Sequence, residues 1–190
     1  MFRRAGWLRA AVALFASVAA AQEMPVPMQT QVGLFVRVLR YDHNLPRADG
    51  ALVVGVLHQS KLRESASAAR EAAMAFAGQG RIADLPTTVV QLDLDDRVVS
   101  ADLERALVSG KVDVLYVCPL RAFDVAAITR ATRAHAVLTL TGVPAYAERG
   151  LSVALGLVGE RPQIIVNLAA SRAEGSDLAS ELLRLSRIIE

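Results

Sequence analysis

Cysteine occurs once in the 190 residues, as Cys118, so no intrachain disulfide can form and stability must come from burial. A surplus of one charge is also missing. The 21 Lys and Arg residues face 19 Asp and Glu, and three of the arginines, Arg3, Arg4 and Arg9, sit at the extreme N-terminus. Without them the balance is 18 basic to 19 acidic. A chain near neutrality lacks the clustered cations that nucleic acid or an anionic membrane surface requires, so neither is an expected partner. The longest apolar run, Ala10 to Ala20, falls short of the roughly 20 residues that span a bilayer comfortably. Preceded by those arginines and followed by Ala19-Ala20-Ala21, it reads instead as an export signal cleaved near Ala21. Residues 1–21 are therefore set apart, and 22–190 are expected to form one domain.

Catalytic signatures are lacking as well. No Gly-x-Ser-x-Gly elbow, P-loop or dinucleotide glycine fingerprint is present. His43, His58 and His135 are widely separated, with no second ligand at metal-binding spacing, and are read as surface or strand-end residues. Asp93, Asp95 and Asp96 form the densest acidic group, yet lack the oxygen-ligand repeat and glycine of a calcium loop. They are read as turn and cap residues. Cys118 ends an apolar run before Pro119, which suits strand-end packing better than a nucleophile. The chain is expected to be non-enzymatic, with no cofactor and no metal.

What is present is an alternation of apolar patterns. Met28, Val32, Phe35 and Leu39 recur at helical spacing, and Asn44-Leu45-Pro46 ends that helix. Leu52 to Leu57 has strand length, and Lys61 to Gln79 carries a helical face of Leu62, Ala66, Ala69, Ala73 and Phe76. Thr87 to Leu94 reads as a strand. Ser100 caps a helix through Val108 that Gly110 stops. Val112 to Val117 is a strand, Phe123 to Ala134 a helix and Ala136 to Leu140 a strand. Strands apolar on both faces, alternating with helices, indicate a mostly parallel sheet covered on two sides, hence a three-layer α/β domain. Leu151 to Val158 and Gln163 to Leu168, joined by Gly159-Glu160-Arg161-Pro162, predict a closing antiparallel ribbon. Ser176 or Asp177 then caps a final helix bearing Leu178, Leu182, Leu185 and Ile189.

Three stretches of the tail carry a resemblance. They are Pro144-Ala145-Tyr146-Ala147-Glu148-Arg149-Gly150, then Ile164-Ile165-Val166-Asn167, then Ser180-Glu181-Leu182-Leu183-Arg184-Leu185. Together with the first helix, Gln29 to Arg40, they resemble the YfiR-like family of small exported proteins. That family's tail has a Pro-x-aromatic-Ala-x-x-Gly corner, a ribbon ending near Ile-Asn and a Ser-x-x-Leu-Leu-x-Leu helix. The sequence departs from it at Leu151, where a second glycine is usual, at Gly175-Ser176, where Gly-Leu is usual, and in having Cys118 alone where paired cysteines are common. The resemblance implies a periplasmic regulator that binds and represses the extracytoplasmic domain of a membrane-bound signalling protein such as a diguanylate cyclase, lowering cyclic-di-GMP output. Self-association into a homodimer is left open.

Two sets of site residues follow. For partner binding they are Tyr146, Glu148, Arg149 and Arg172, because aromatic and arginine anchors dominate protein interfaces. The alternative puts Tyr146 in the core, Glu148 and Arg149 on a solvated corner and Asn167 as the cap of a turn at Leu168 to Arg172. For small-molecule binding they are His58, Gln59, Ser60 and Arg121, in loops beyond the carboxyl ends of the first and third strands, where open α/β sheets bind ligands. The same residues also suit plain helix capping.

Overall fold

The computed structural model describes residues 23–45, 50–94, 100–121 and 125–190. The export signal and its cleavage point near Ala21, Pro46, Asp95, Asp96 and the start of the helix at Phe123 lie outside these residues. The elements are α1 (Met28–Arg40), β1 (Leu52–His58), α2 (Arg63–Ala77), β2 (Arg81–Ile82), β3 (Leu85–Asp93), α3 (Ser100–Ser109), β4 (Val114–Val117), α4 (Val125–Ala134), β5 (Leu138–Thr141), α5 (Pro144–Glu148), β6 (Val153–Val158), β7 (Arg161–Asn167), α6 (Leu168–Ala173), α7 (Ser180–Leu185) and β8 (Arg187–Ile189). One eight-stranded sheet runs β2-β3-β1-β4-β5-β6-β7-β8. From β3 to β6 all pairings are parallel; β6 and β7 form the antiparallel ribbon. The expected α/β architecture is the one observed. No helix among the described residues is long and apolar enough to cross a membrane.

Strand alternation divides the core in two. Leu52, Val54 and Val56 of β1 join Phe35 and Leu39 of α1 and Ala69 and Phe76 of α2 on one face. Leu57, Leu115 and Val117 join Leu103 and Leu107 of α3 and Val125 and Ile128 of α4 on the other. At the centre of the first layer Tyr116 meets Phe35 and Phe76 edge-on, with ring centroids 5.9 and 5.8 Å apart. Such pairs add about 0.5–1.5 kcal/mol each beyond area burial. The Tyr116 hydroxyl donates to Gln31 Oε1 (2.8 Å), whose Nε2 donates to the Val26 carbonyl (2.6 Å). Gln31 is packed so tightly over Gly142 that a Cβ there would overlap its amide. This chain of bonds ties the segment before α1 to the middle of the sheet.

Three details differ from the sequence expectation. The buried face of α2 is Ser65, Ala68, Ala69, Ala72, Ala75 and Phe76, with Leu62, Ala66 and Ala73 only half-buried. Alanines on most sides of the helix leave the apolar stripe ill-defined, and contacts with α1 and the sheet decide the rotation. A two-residue strand, β2, was not expected; it pairs with β3 through Ala83 and Asp84, both at positive φ (48° and 64°). This is the twist of a tight hairpin turn, made without its usual glycine. The last helix stops at Leu185, and residues 187–189 pair in parallel with β7. Leu185 is consequently 79% exposed, while Ile189 packs against Ala147, Ala154 and Ile165. The open backbone edge of β7 outcompetes the helical pattern, because pairing satisfies polar groups that continued helix would leave bare. Ser176 and Asp177 cap no helix; the Ser176 hydroxyl and the Asp177 amide bind the buried Asp42 carboxylate at 2.7 and 2.9 Å.

Candidate functional site

The corner that precedes the ribbon begins with Pro144 at the first turn of α5, where a missing N–H costs nothing. The helix ends in a left-handed residue, Gly150 (φ 105°), and the Leu151 amide bonds back to the Tyr146 carbonyl at 3.0 Å. That is a glycine-terminated helix stop, and it turns the chain toward β6. Tyr146 is 1% exposed. Its ring belongs to the layer of α3 and α4, and its hydroxyl accepts from the Leu120 amide (2.9 Å) and donates to the Leu120 carbonyl (3.2 Å). Burial raises the phenol above its usual range, against the pull of Leu120 and the Arg149 charge. Tyr146 thus fixes the corner from within, and its side chain offers a partner no accessible face in this conformation.

Charge is what the corner presents. Arg149 lies over the Tyr146 ring, 5.9 Å from its centroid. Glu148 pairs with Arg187 of β8 at 3.6 Å, both more than half exposed. An exposed pair of this kind contributes about 0–1 kcal/mol, so it orients side chains more than it stabilises the fold. Arg133, in the last turn of α4, reaches the Gly150 carbonyl at 3.4 Å. Asn167 Nδ2 donates to the Ala147 carbonyl (3.0 Å), and Asn167 Oδ1 caps α6 by accepting from the Ala170 amide (2.9 Å). This places α6, with exposed Arg172 in its last turn, beside the corner's supporting frame. Arg133 and Arg187 come from distant parts of the sequence, and no local pattern marks them. Arg133, Arg149 and Arg187 thus meet at the corner, with Glu148 among them.

Beneath the corner lies a buried carboxylate. Glu174, fully buried, follows α6 and accepts from Thr132 Oγ1 (2.7 Å), from the Thr139 amide (2.8 Å) and hydroxyl, and from the Ser152 hydroxyl. It satisfies the Thr139 amide one residue before the β5–β6 ladder begins at Leu140↔Val153. Nothing in the local sequence singles it out.

The second set of residues lies at the carboxyl ends of the strands. His58 is buried, with an Nδ1 that has no partner among the described residues. Gln59 binds the Arg121 backbone twice, its Oε1 accepting from the amide (2.8 Å) and its Nε2 donating to the carbonyl (3.2 Å). The structure brings these loops together, with Gln59 as the clasp. The Ser60 amide donates to Asp93 Oδ1 at 2.9 Å, a turn-forming use of that aspartate, and the Arg121 side chain is exposed. Cys118 packs under the same loops, fully buried, and burial pushes its thiol far above the normal range. A protonated, inaccessible thiol is a poor nucleophile. In the native protein Cys118 is expected to resist a thiol reagent such as DTNB for hours and to react within minutes in denaturant. Rapid labelling of the folded protein would show that this layer opens.

Comparison with solved structures gives the fold alone. A conserved domain protein from Vibrio cholerae O1 biovar El Tor superposes with a TM-score of 0.59 at 13% identity. An ABC domain from Streptococcus pneumoniae, solved in complex with L-Trp, gives 0.59 at 14%. Each match covers 86% of this chain but only 60% of the other. No curated protein sequence matches. The family model described as YfiR/HmsC-like matches residues 34–187, which takes in the Tyr146 corner, the ribbon and the Glu174 network; the chain belongs to this family.

Proposed function

We propose that this protein is a periplasmic repressor that binds the extracytoplasmic domain of a membrane-bound diguanylate cyclase. The carrying observation is the family match over residues 34–187; membership supports a periplasmic regulator of cyclic-di-GMP signalling in general, and a regulatory rather than catalytic role. The contact surface in this reading is the charged corner of Glu148 and Arg149 with Arg172 of α6, Tyr146 serving as its buried support. A set of arginines favours an acidic patch on the partner, since complementary charge speeds encounter and fixes register. Repression then requires tighter binding to the inactive conformation of the cyclase than to the active one.

The test is capture from detergent-solubilised membranes with the exported chain, tagged after Glu190, followed by mass spectrometry. Recovery of a sensor with a cytoplasmic cyclase domain supports the reading; recovery of no membrane signalling protein by folded bait refutes it. With the partner in hand, the double variant Arg149→Glu, Arg172→Glu is expected to weaken the complex at least tenfold, most of it at low salt, with an unchanged circular dichroism spectrum. Equal affinity would move the contact surface elsewhere.

A second reading, a small-molecule binding protein using His58, Gln59, Ser60 and Arg121, is supported by the buried, unpartnered Nδ1 of His58. A metabolite that raises the melting temperature of the native protein but not of His58→Leu would favour it.

A further inference from the structure

Among the described residues one buried side-chain nitrogen has no hydrogen-bond partner: Nδ1 of His58, in a residue 8% exposed. Buried polar groups in native proteins are paired in the large majority of cases, so this orphan asks for a partner from outside the chain. Its place follows from strand alternation. Leu52, Val54 and Val56 face α1 and α2, so His58 continues the same row at the carboxyl end of β1. The next helix, α2, runs back over that row through Ala69 and Phe76. Ser65, in its first turn, accepts from the Gln59 amide at 3.0 Å, which pins the start of the helix beside the residue that follows His58. The imidazole is therefore held under the amino end of α2.

That helix end is bare. The helix is 15 residues long, and its N-cap is Leu62, whose side chain makes no cap bond. Ala66 supplies the first helical bond, its amide donating to the Leu62 carbonyl at 2.9 Å. The amides of Arg63, Glu64 and Ser65 have no partner among the described residues. Such amides carry the positive end of the helix, roughly half an elementary charge, and are satisfied by a capping oxygen or by a bound anion.

The surroundings select an anion. Arg63 in the first turn and Arg121, whose backbone Gln59 clasps, are exposed cations at the same end of the sheet. Of the acids there, Asp93 is turned onto the Ser60 amide (2.9 Å), and Glu64 is exposed on the helix. We propose that the amino end of α2 binds one oxyanion, the carboxylate or phosphate group of a small molecule. The oxyanion accepts from the first-turn amides and from the Nδ1–H of His58. The inference rests on the small-molecule reading above and supplies its ligand class; it is independent of the charged corner.

Acetate, inorganic phosphate and neutral acetamide test it, titrated at constant ionic strength into the isotope-labelled exported chain and followed by NMR. Acetate or phosphate is expected to shift the amide resonances of Arg63, Glu64 and Ser65 saturably, binding at least tenfold more tightly than acetamide. The tighter of the two anions identifies the group as a carboxylate or a phosphate. His58→Leu should weaken that binding at least tenfold. Leu62→Asp puts a carboxylate at the N-cap, whose extended backbone (φ −96°, ψ 108°) suits a capping side chain. It should abolish anion binding while raising the melting temperature, whereas loss through misfolding would lower it. A lower melting temperature in Leu62→Asp, or anion binding that survives either substitution, overturns the proposal. So does binding removed by Arg149→Glu, Arg172→Glu, which would place the anion at the charged corner. Equal binding of acetate and acetamide overturns the anion class but keeps a small-molecule site. Silence from all three probes overturns the proposal, while the small-molecule reading falls only if no metabolite raises the melting temperature.

Discussion

Replacing Glu174 with alanine is expected to destabilise the protein by about 3 kcal/mol in chemical denaturation, the scale for stranding buried donors and opening a cavity. Thr132 keeps alternative acceptors in the carbonyls of Ile128 and Thr129 (3.1 and 3.3 Å), so its loss is small. The Thr139 amide would lose its carboxylate acceptor where the β5–β6 ladder has not yet begun. The Ser152 hydroxyl would lose its own at the entry to β6, just where the Ser152 amide is held by Thr139 Oγ1 (2.8 Å). Glu174→Gln should cost less, about 1 kcal/mol, because one oxygen still accepts.

The pH dependence separates charge from packing. Burial raises the Glu174 carboxyl above its usual value, opposed by the bonds from Ser152, Thr132 and Thr139. A folded-state value above the unfolded one means that the proton binds the folded protein more tightly. The stabilisation from protonation is therefore complete below the unfolded carboxyl value and lost as pH rises through the raised folded value. Wild type should accordingly gain on Glu174→Gln as pH falls from neutrality toward the ordinary carboxyl range. A gap between the two proteins that does not change with pH would mean that Glu174 is not perturbed in this direction.

The second large effect is expected at Tyr146. Tyr146→Ala removes a fully packed ring and should cost about 3–5 kcal/mol. Tyr146→Phe keeps the ring but takes away the hydroxyl that serves both backbone groups of Leu120, for about 1–3 kcal/mol. The two variants should differ in function more than in stability. Phenylalanine leaves a face for Arg149 to lie on, so partner capture should persist at a temperature where the protein is folded; alanine removes that support, and capture should fall. Equal capture by both variants would mean that the corner's charges act without the ring's support, or that the partner docks elsewhere.

Much of this was legible in the residues. The apolar runs of β1 and β4 and the stripe of Met28, Val32, Phe35 and Leu39 announce buried strands and a covering helix, because period and length are local properties of the chain. The ribbon is legible for the same reason, and so is the corner, where Pro144 opens a helix and Gly150 stops it. The site's composition was less so. Glu148 and Arg149 are visible as adjacent charges, but Arg133 and Arg187 join them only because α4 and β8 flank the corner in space. Tyr146 reads equally well as an anchor or as core, since the residue type suits both.

Alternating apolar runs, a lone cysteine and a balanced charge determined by themselves an α/β protein held by burial, since these depend on which groups each segment must hide from water. Only the tertiary structure decided the rest. It turned the end of the leucine-bearing tail into β8, set Ala83-Asp84 and Lys111 in left-handed turns without glycine, and left Glu174 as the acceptor for three distant segments. For β8 and Glu174 the partner lies far away in the chain, and such pairings are fixed by packing rather than by local pattern; the two turns close bonds only a few residues apart, and their left-handed residues carry none of the glycine that would mark them.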